Sequence, residues 1–127
     1  MYNLGKLDKN IYRCITDDIA TDDVIITDER MKHIKDRHPN DYEKYLGFLK
    51  ECFQSPDYII AGNKPNTAMA LKEINVNGKH AKTIVRLLTS NDNPVYKNSI
   101  ITFQTIRDKE WRRLLNNKQI LYRKKQK

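Results

Sequence analysis

The order of elements along this chain predicts an α+β domain, in which two helices precede an antiparallel run of strands. Three observations carry that reading. Apolar residues between Thr27 and Phe53 recur at helical spacing, whereas beyond Ser55-Pro56 short β-branched runs alternate with turn residues. Asn77-Gly78 is a hairpin signal between two of those runs. At 127 residues the chain is long enough for one core and too short for two, so residues 1–127 are expected to form a single domain.

The elements follow in order. Lys9 to Ile15 alternates well enough for a strand, and Asp23 to Thr27 is a short β-branched run; either suits an edge strand or an extended arm. Thr27 can then cap a helix whose first residues, Asp28 and Glu29, suit the positive end of its dipole. Pro39 ends that helix near His38, because the residue before proline disfavours the α region. A second helix opens at Asn40-Asp41-Tyr42-Glu43, a capping residue with Glu three positions later, and Tyr45, Leu46, Leu49, Cys52 and Phe53 follow on its apolar side.

From there the texture is β. Tyr58 to Ala61 leads through a turn at Gly62 to Asn66 into Thr67 to Ile74, and the Asn77-Gly78 turn passes to Lys82 to Leu88. A polar loop from Ser90 to Pro94 precedes Ser99 to Ile106. The remainder is expected to be helical, with Trp111, Leu114 and Leu115 inward, and Ile120-Leu121-Tyr122 forms a last apolar triplet before a basic tail at about 123–127. Packing the helices on one sheet face leaves the other face, or its rim, for a ligand.

Charge narrows the choice of ligand. Twenty-four Lys and Arg against 16 Asp and Glu leave a formal charge of +8, which attracts polyanions. Nucleic acid is therefore the first partner to consider. No apolar run approaches the ~20 residues of a membrane span and no signal-peptide core stands at Met1 to Leu4, so a cytoplasmic protein with no membrane association is expected. Cys14 and Cys52 are too few for a disulfide framework and read as reduced, buried side chains.

The stretch Arg30 to Pro39 carries the chemistry. At about 100° per residue Met31 and Ile34 face one way, while Arg30, His33 and Arg37 share a narrow arc beside them. Two guanidiniums flanking an imidazole are costly inside an apolar core. That arc is expected at the border with solvent, where a phosphate can be clamped and His33 can accept a proton. The bland alternative is a solvated Arg/His face on a Lys-rich helix. His33 and His38 lie roughly 140° apart on a regular helix, unlike the four-residue offset that aligns two zinc ligands, so no metal and no other cofactor are expected. His80, beside the turn, reads as an exposed loop residue, and Trp111, Tyr42, Tyr45, Phe48 and Phe53 read as core.

Five segments together resemble the phage-associated members of the barnase/EndoU/colicin/RelE-like nuclease superfamily: His33 to Pro39, Pro56 to Ile59, Thr67 to Lys72, Asn98 to Thr102, and Ile120 to Tyr122. The resemblance extends over most of the chain, from about Val24 to Lys124, and the order and spacing of the segments are the stronger signal, above all a helix-borne H-x3-R-H-P followed by a strand-borne S-I-I-T. The resemblance implies N-terminal helices on a four-stranded antiparallel meander, with a cleft on the sheet at the helix edge, and RNA cleavage without metal. Matched position by position, it places His33, Arg37, His38, Thr102 and Tyr122 at the catalytic site. Arg30, Lys72, Arg86 and Ser99 are expected phosphate or RNA ligands.

In the reaction this implies, His33 takes the proton of a ribose 2′-hydroxyl and His38 or Tyr122 supplies one to the leaving 5′-oxygen, yielding a 2′,3′-cyclic phosphate. Two alternatives use the same fold without turnover: an RNA-binding module gripping phosphates with Arg30, Arg37, Lys72, Arg86 and the tail, and stacking bases on Tyr58 or Phe103, or a phage structural domain docking an acidic protein. For a toxin-like enzyme, an acidic antitoxin or immunity protein covering the basic cleft is a natural partner.

Overall fold

The computed structural model describes residues 1–76 and 78–125. Among these the chain runs β1 (Tyr2–Lys6), α1 (Lys9–Tyr12), β2 (Asp23–Ile26), α2 (Asp28–Arg37), α3 (Tyr42–Gln54), β3 (Tyr58–Ala61), β4 (Thr67–Val76), β5 (Lys79–Arg86), β6 (Asn98–Arg107), α4 (Asp108–Asn117) and β7 (Ile120–Arg123). The strands form one sheet in the order β1-β2-β6-β5-β4-β3-β7. No helix among the described residues is long and apolar enough to cross a membrane.

The α+β class stands, but the sheet is larger than the expected four-stranded antiparallel meander. The meander is its centre, β3 through β6 in sequence order, and each edge has been extended. At one edge β7 pairs antiparallel with β3; at the other β2 pairs with β6 in parallel and β1 closes the sheet against β2, so the whole is mixed. The additions are strands of four or five residues. Asp23 to Ile26 forms the strand its β-branched run suited, whereas β1 and β7 carry too little periodicity to be read from sequence and form because a bare strand edge offers unpaired peptide groups.

Three local readings are corrected. Lys9 to Ile15 is not a strand: the Asp8 carboxylate accepts from Asn10 N at 2.9 Å and starts the one-turn α1. A single residue of that segment, Tyr12, is fully buried, its hydroxyl donating to the Phe53 carbonyl at 2.7 Å. Ile120 to Tyr122 is strand β7, because the backbone turns extended at Lys118 and the chain returns along β3. Asp41 rather than Asn40 stands at the start of α3 and makes no side-chain cap there; its carboxylate lies against the His38 ring instead.

Helices cover both sheet faces. Neighbouring residues in β3 and β4 point oppositely, and the fully buried Ile59 and Ala70 share the side of α3 with Leu49, Cys52 and Phe53. Ile60 and Leu71 pack on the other side with Ile106 and with Trp111 and Leu114 of α4. The expectation that all helices share one face is thus corrected: a second apolar sheet face would be left wet without α4, at about 1.5–3 kcal/mol per large side chain. His80 is corrected with it. It stands opposite Ile106 and is 4% exposed, its Nε2 2.5 Å from Asp108 Oδ1 and its ring 4.5 Å from Trp111. The ladder begins immediately after the turn, so two residues beyond Gly78 (φ 68°) the chain is already inside. Asn77 of that turn, like residues 126 and 127 of the basic tail, lies outside the described residues.

Asn98 fixes the β2–β6 pairing. Its side chain is wholly buried, its Oδ1 accepting from Leu88 N at 2.7 Å and its Nδ2 donating to the carbonyls of Thr21 and Asp23 at 2.7 and 3.0 Å. These bonds pin β2 to β6. Thr27, directly after β2, caps α2 by accepting from Arg30 N at 3.3 Å, so the placement of α2 against the sheet follows from that anchor.

Candidate functional site

The pairing of β2 with β6 is short: Val24 faces Asn98, Ile25 faces Ser99, and β2 ends at Ile26. β6 runs on to Arg107, so its outer edge continues without a strand beside it, and α2 takes the vacated position. Between α2 and this edge opens a cavity of about 270 Å³. Its α2 wall is Arg30, His33, Ile34 and Arg37, His38 and Tyr45 close one end, and Ile100 to Phe103 form the opposite side. Successive strand residues point to alternate faces. Four in a row therefore line a cavity only where it meets the strand edge and its peptide groups.

The edge is also irregular. Val85 pairs with Ile100 while Ile84 pairs with Thr102, leaving Ile101 as an extra residue in a bulge. The Thr102 carbonyl accepts from Thr83 Oγ1 at 2.8 Å. Bulges re-aim side chains and end regular pairing.

Arg30, His33 and Arg37 are exposed along one helix face, and no carboxylate of the described residues lies within 4 Å of either guanidinium. His38 is more closely held. It has left the helical conformation (φ −129°, ψ 60°) while its N–H still donates to the Ile34 carbonyl at 2.9 Å. Its Nδ1 stands 3.3 Å from Asp41 Oδ1, and its ring stacks on Tyr45 at 3.9 Å with a 21° tilt. Tyr45 meets Phe103 edge-on at 4.8 Å, and its hydroxyl donates to the Phe103 carbonyl at 3.5 Å. Burial raises the phenol above its ordinary range, against the lowering effect of Arg37, so Tyr45 remains a protonated donor.

The structure gathers Arg30, His33, Arg37, His38 and Thr102 around one cavity. The other expected residues lie elsewhere. Ser99 and Arg86 line a second cavity, about 440 Å³, on the opposite side of the β2–β6 pair, where Arg86 bonds the Leu87 carbonyl and Asp92 (3.0 Å). The Lys72 ammonium stands 3.6 Å from Asp57, its side chain only 12% exposed. Tyr122 is on β7, with three strands between it and β6, roughly 19 Å across the sheet at ordinary strand spacing. Reading Tyr45 as core missed its place at the cavity; the signal was its position seven residues beyond His38, just past the Pro39 turn that brings the two rings together. Asp41 does stand at the start of α3, but with its carboxylate beside the His38 ring rather than on a helix N–H. Among the described residues no three His, Cys, Asp or Glu side chains gather as metal ligands would.

An α+β sheet with imidazoles and guanidiniums, the latter without a carboxylate within 4 Å among the described residues, at an open strand edge has the chemistry of nucleases. A family model described as phage-Barnase-EndoU-ColicinE5/D-RelE like nuclease2 matches residues 2–123, and the chain belongs to this family of phage-associated nucleases. No curated protein and no solved structure gives a significant match.

Proposed function

We propose that this protein is an endoribonuclease that cleaves by attack of the ribose 2′-hydroxyl and needs no metal for that step. The observation that carries the reading is the presence around one cavity of two imidazoles and of two guanidiniums that have no carboxylate within 4 Å among the described residues. His33, exposed between Arg30 and Arg37, is assigned the base that takes the 2′-hydroxyl proton. The 2′-oxygen then bonds to phosphorus, the bond to the 5′-oxygen breaks, and the products are a 2′,3′-cyclic phosphate and a 5′-hydroxyl end. His38 is assigned the acid that gives the 5′-oxygen its proton; Tyr122 is too far along the sheet to share that cavity. Arg30 and Arg37 hold the phosphoryl oxygens as charge grows on them, and Thr102 positions the phosphate. DNA, lacking the 2′-hydroxyl, resists.

Each proton-transfer group contributes roughly 10²–10⁴ in rate. The test is incubation with mixed RNA in excess chelator, wild type beside His33→Ala, with the new ends mapped. Cyclic-phosphate ends that depend on His33 are expected. RNA bound but left intact at every protein concentration would instead favour a binding module on the same fold. A toxin-like role fits an acidic inhibitor laid over Arg30 and Arg37, which carry no acidic partner of their own within the described chain.

A further inference from the structure

His33 and His38 line the same cavity, yet they are held very differently. His33 is exposed on a helix face, whereas His38 is held by its backbone bond to Ile34 and by the stack on the Tyr45 ring, with the Asp41 carboxylate 3.3 Å from its Nδ1. Tyr45 is itself anchored to β6 through both its ring edge and its hydroxyl, at the strand segment that forms the far side of the cavity. The chain thus spends two side chains of α3's first turns on the orientation of one imidazole. A surface histidine with no role needs neither.

We propose that Tyr45 and Asp41 are positioning residues for His38: the stack fixes the plane of the ring, and the carboxylate engages Nδ1 so that Nε2 is the nitrogen presented to the leaving 5′-oxygen. This inference rests on the endoribonuclease reading. In the step it describes, the His38 Nε2 proton passes to the 5′-oxygen as the phosphorus–oxygen bond breaks, while Nδ1–H stays on the carboxylate side. The arrangement explains why the Asp at the start of α3 forgoes the helix cap: its oxygen is used on the ring instead. It also gives the Pro39 turn a chemical purpose, since that turn brings the Tyr45 ring over His38.

Two readouts test it. The first is the tautomer of neutral His38, read from ring nitrogen and carbon shifts in labelled protein. Wild type is expected to carry its proton on Nδ1, and Asp41→Ala to move it toward the commoner Nε2–H form; Asp41 is largely exposed, so this variant keeps its fold. The second is kinetic. Tyr45→Leu is expected to lower kcat on a dinucleotide by about 10²-fold with KM little changed, as a misplaced catalytic group does, while Tyr45→Phe recovers most of the rate. On a nucleoside 3′-aryl phosphodiester, whose leaving group needs no proton, Tyr45→Leu is expected to lose far less. An Nε2–H tautomer in wild type, or equal losses on both substrates, overturns the proposal. Wild type that cleaves neither substrate refutes the ribonuclease reading, and the tautomer measurement then still decides whether Asp41 sets the ring.

Discussion

Two cavities stand back to back on either side of the β2–β6 pair, and they treat positive charge in opposite ways. Ile26 lines one and Ile25, its neighbour on the strand, lines the other. On the α2 side, Arg30 and Arg37 stand without carboxylate partners among the described residues. On the far side, Arg86 is bonded to Asp92 and Lys97 to Asp23 at 3.0 and 3.2 Å. A cation already paired must give up its partner to bind a phosphate, so the excess charge of +8 becomes useful only where it is left unpaired. The contrast teaches that the number of basic residues locates nothing; the distribution of their counter-charges does.

The sharpest way to break this comparison is to remove a proton-transfer group from one cavity and a cation from the other. His33→Ala is expected to slow RNA cleavage by roughly 10²–10⁴. Arg86→Ala is expected to leave the rate within about threefold, since a partly exposed ion pair contributes only ~0.2–1 kcal/mol to stability. Equal losses in single-turnover rates would erase the distinction between the cavities. Next, Arg37→Ala is expected to lower kcat by about 10²-fold, the usual loss when one donor to a growing oxyanion is removed, with correctly folded protein confirmed by circular dichroism.

Asn98→Ala tests the frame that both cavities share. Three hydrogen bonds from a buried side chain are lost and their partners left bare, so unfolding in denaturant is expected to show a loss of roughly 3 kcal/mol. Smaller still is the salt effect. Each phosphate contact to a single strand contributes a slope of about −0.7 in log affinity against log salt. Arg37→Ala is expected to reduce the slope by that amount for an uncleavable 2′-deoxy strand, and Arg86→Ala to leave it unchanged.

The smallest effect concerns pH. Backbone and hydroxyl donors of Thr89, then Arg86, hold the Asp92 carboxyl below its usual range. A carboxylate lowered on folding stabilises the native state above its unfolded value, near 3.9, and that contribution disappears as pH falls through the folded value. The stability gap between wild type and Asp92→Asn is therefore expected at neutral pH and should close below about pH 4, as thermal melts across pH would show.

Much of this was legible in the sequence because it depends on neighbours along the chain. The α2 boundaries follow from Thr27, Pro39 and the spacing of Met31 and Ile34, and the same periodicity put Arg30, His33 and Arg37 on one arc. The four central strands announce themselves by turns and alternation. What was not legible depends on distant partners. Nothing local shows that Asp57 occupies Lys72, that Asp92 occupies Arg86, or that Asp108 draws His80 inside. The outer strands were hidden for a related reason: β1 and β7 form on the open edges of β2 and β3 while their own residues carry little periodicity, and although Asp23 to Thr27 suited a strand, nothing local showed that it would pair in parallel with β6. Tyr45 combined both difficulties, since an aromatic at helical spacing reads as core until the turn before it is folded.

The most direct test of the site is nuclear magnetic resonance titration with a short 2′-deoxy oligonucleotide, which the proposed reaction cannot cut. Saturable shifts concentrated at Arg30, His33, Arg37, His38 and Tyr45, with Arg86, Lys97 and Tyr122 left in place, are what the structure predicts. Shifts centred on Arg86 and Lys97 instead, with the α2 face silent, would contradict it.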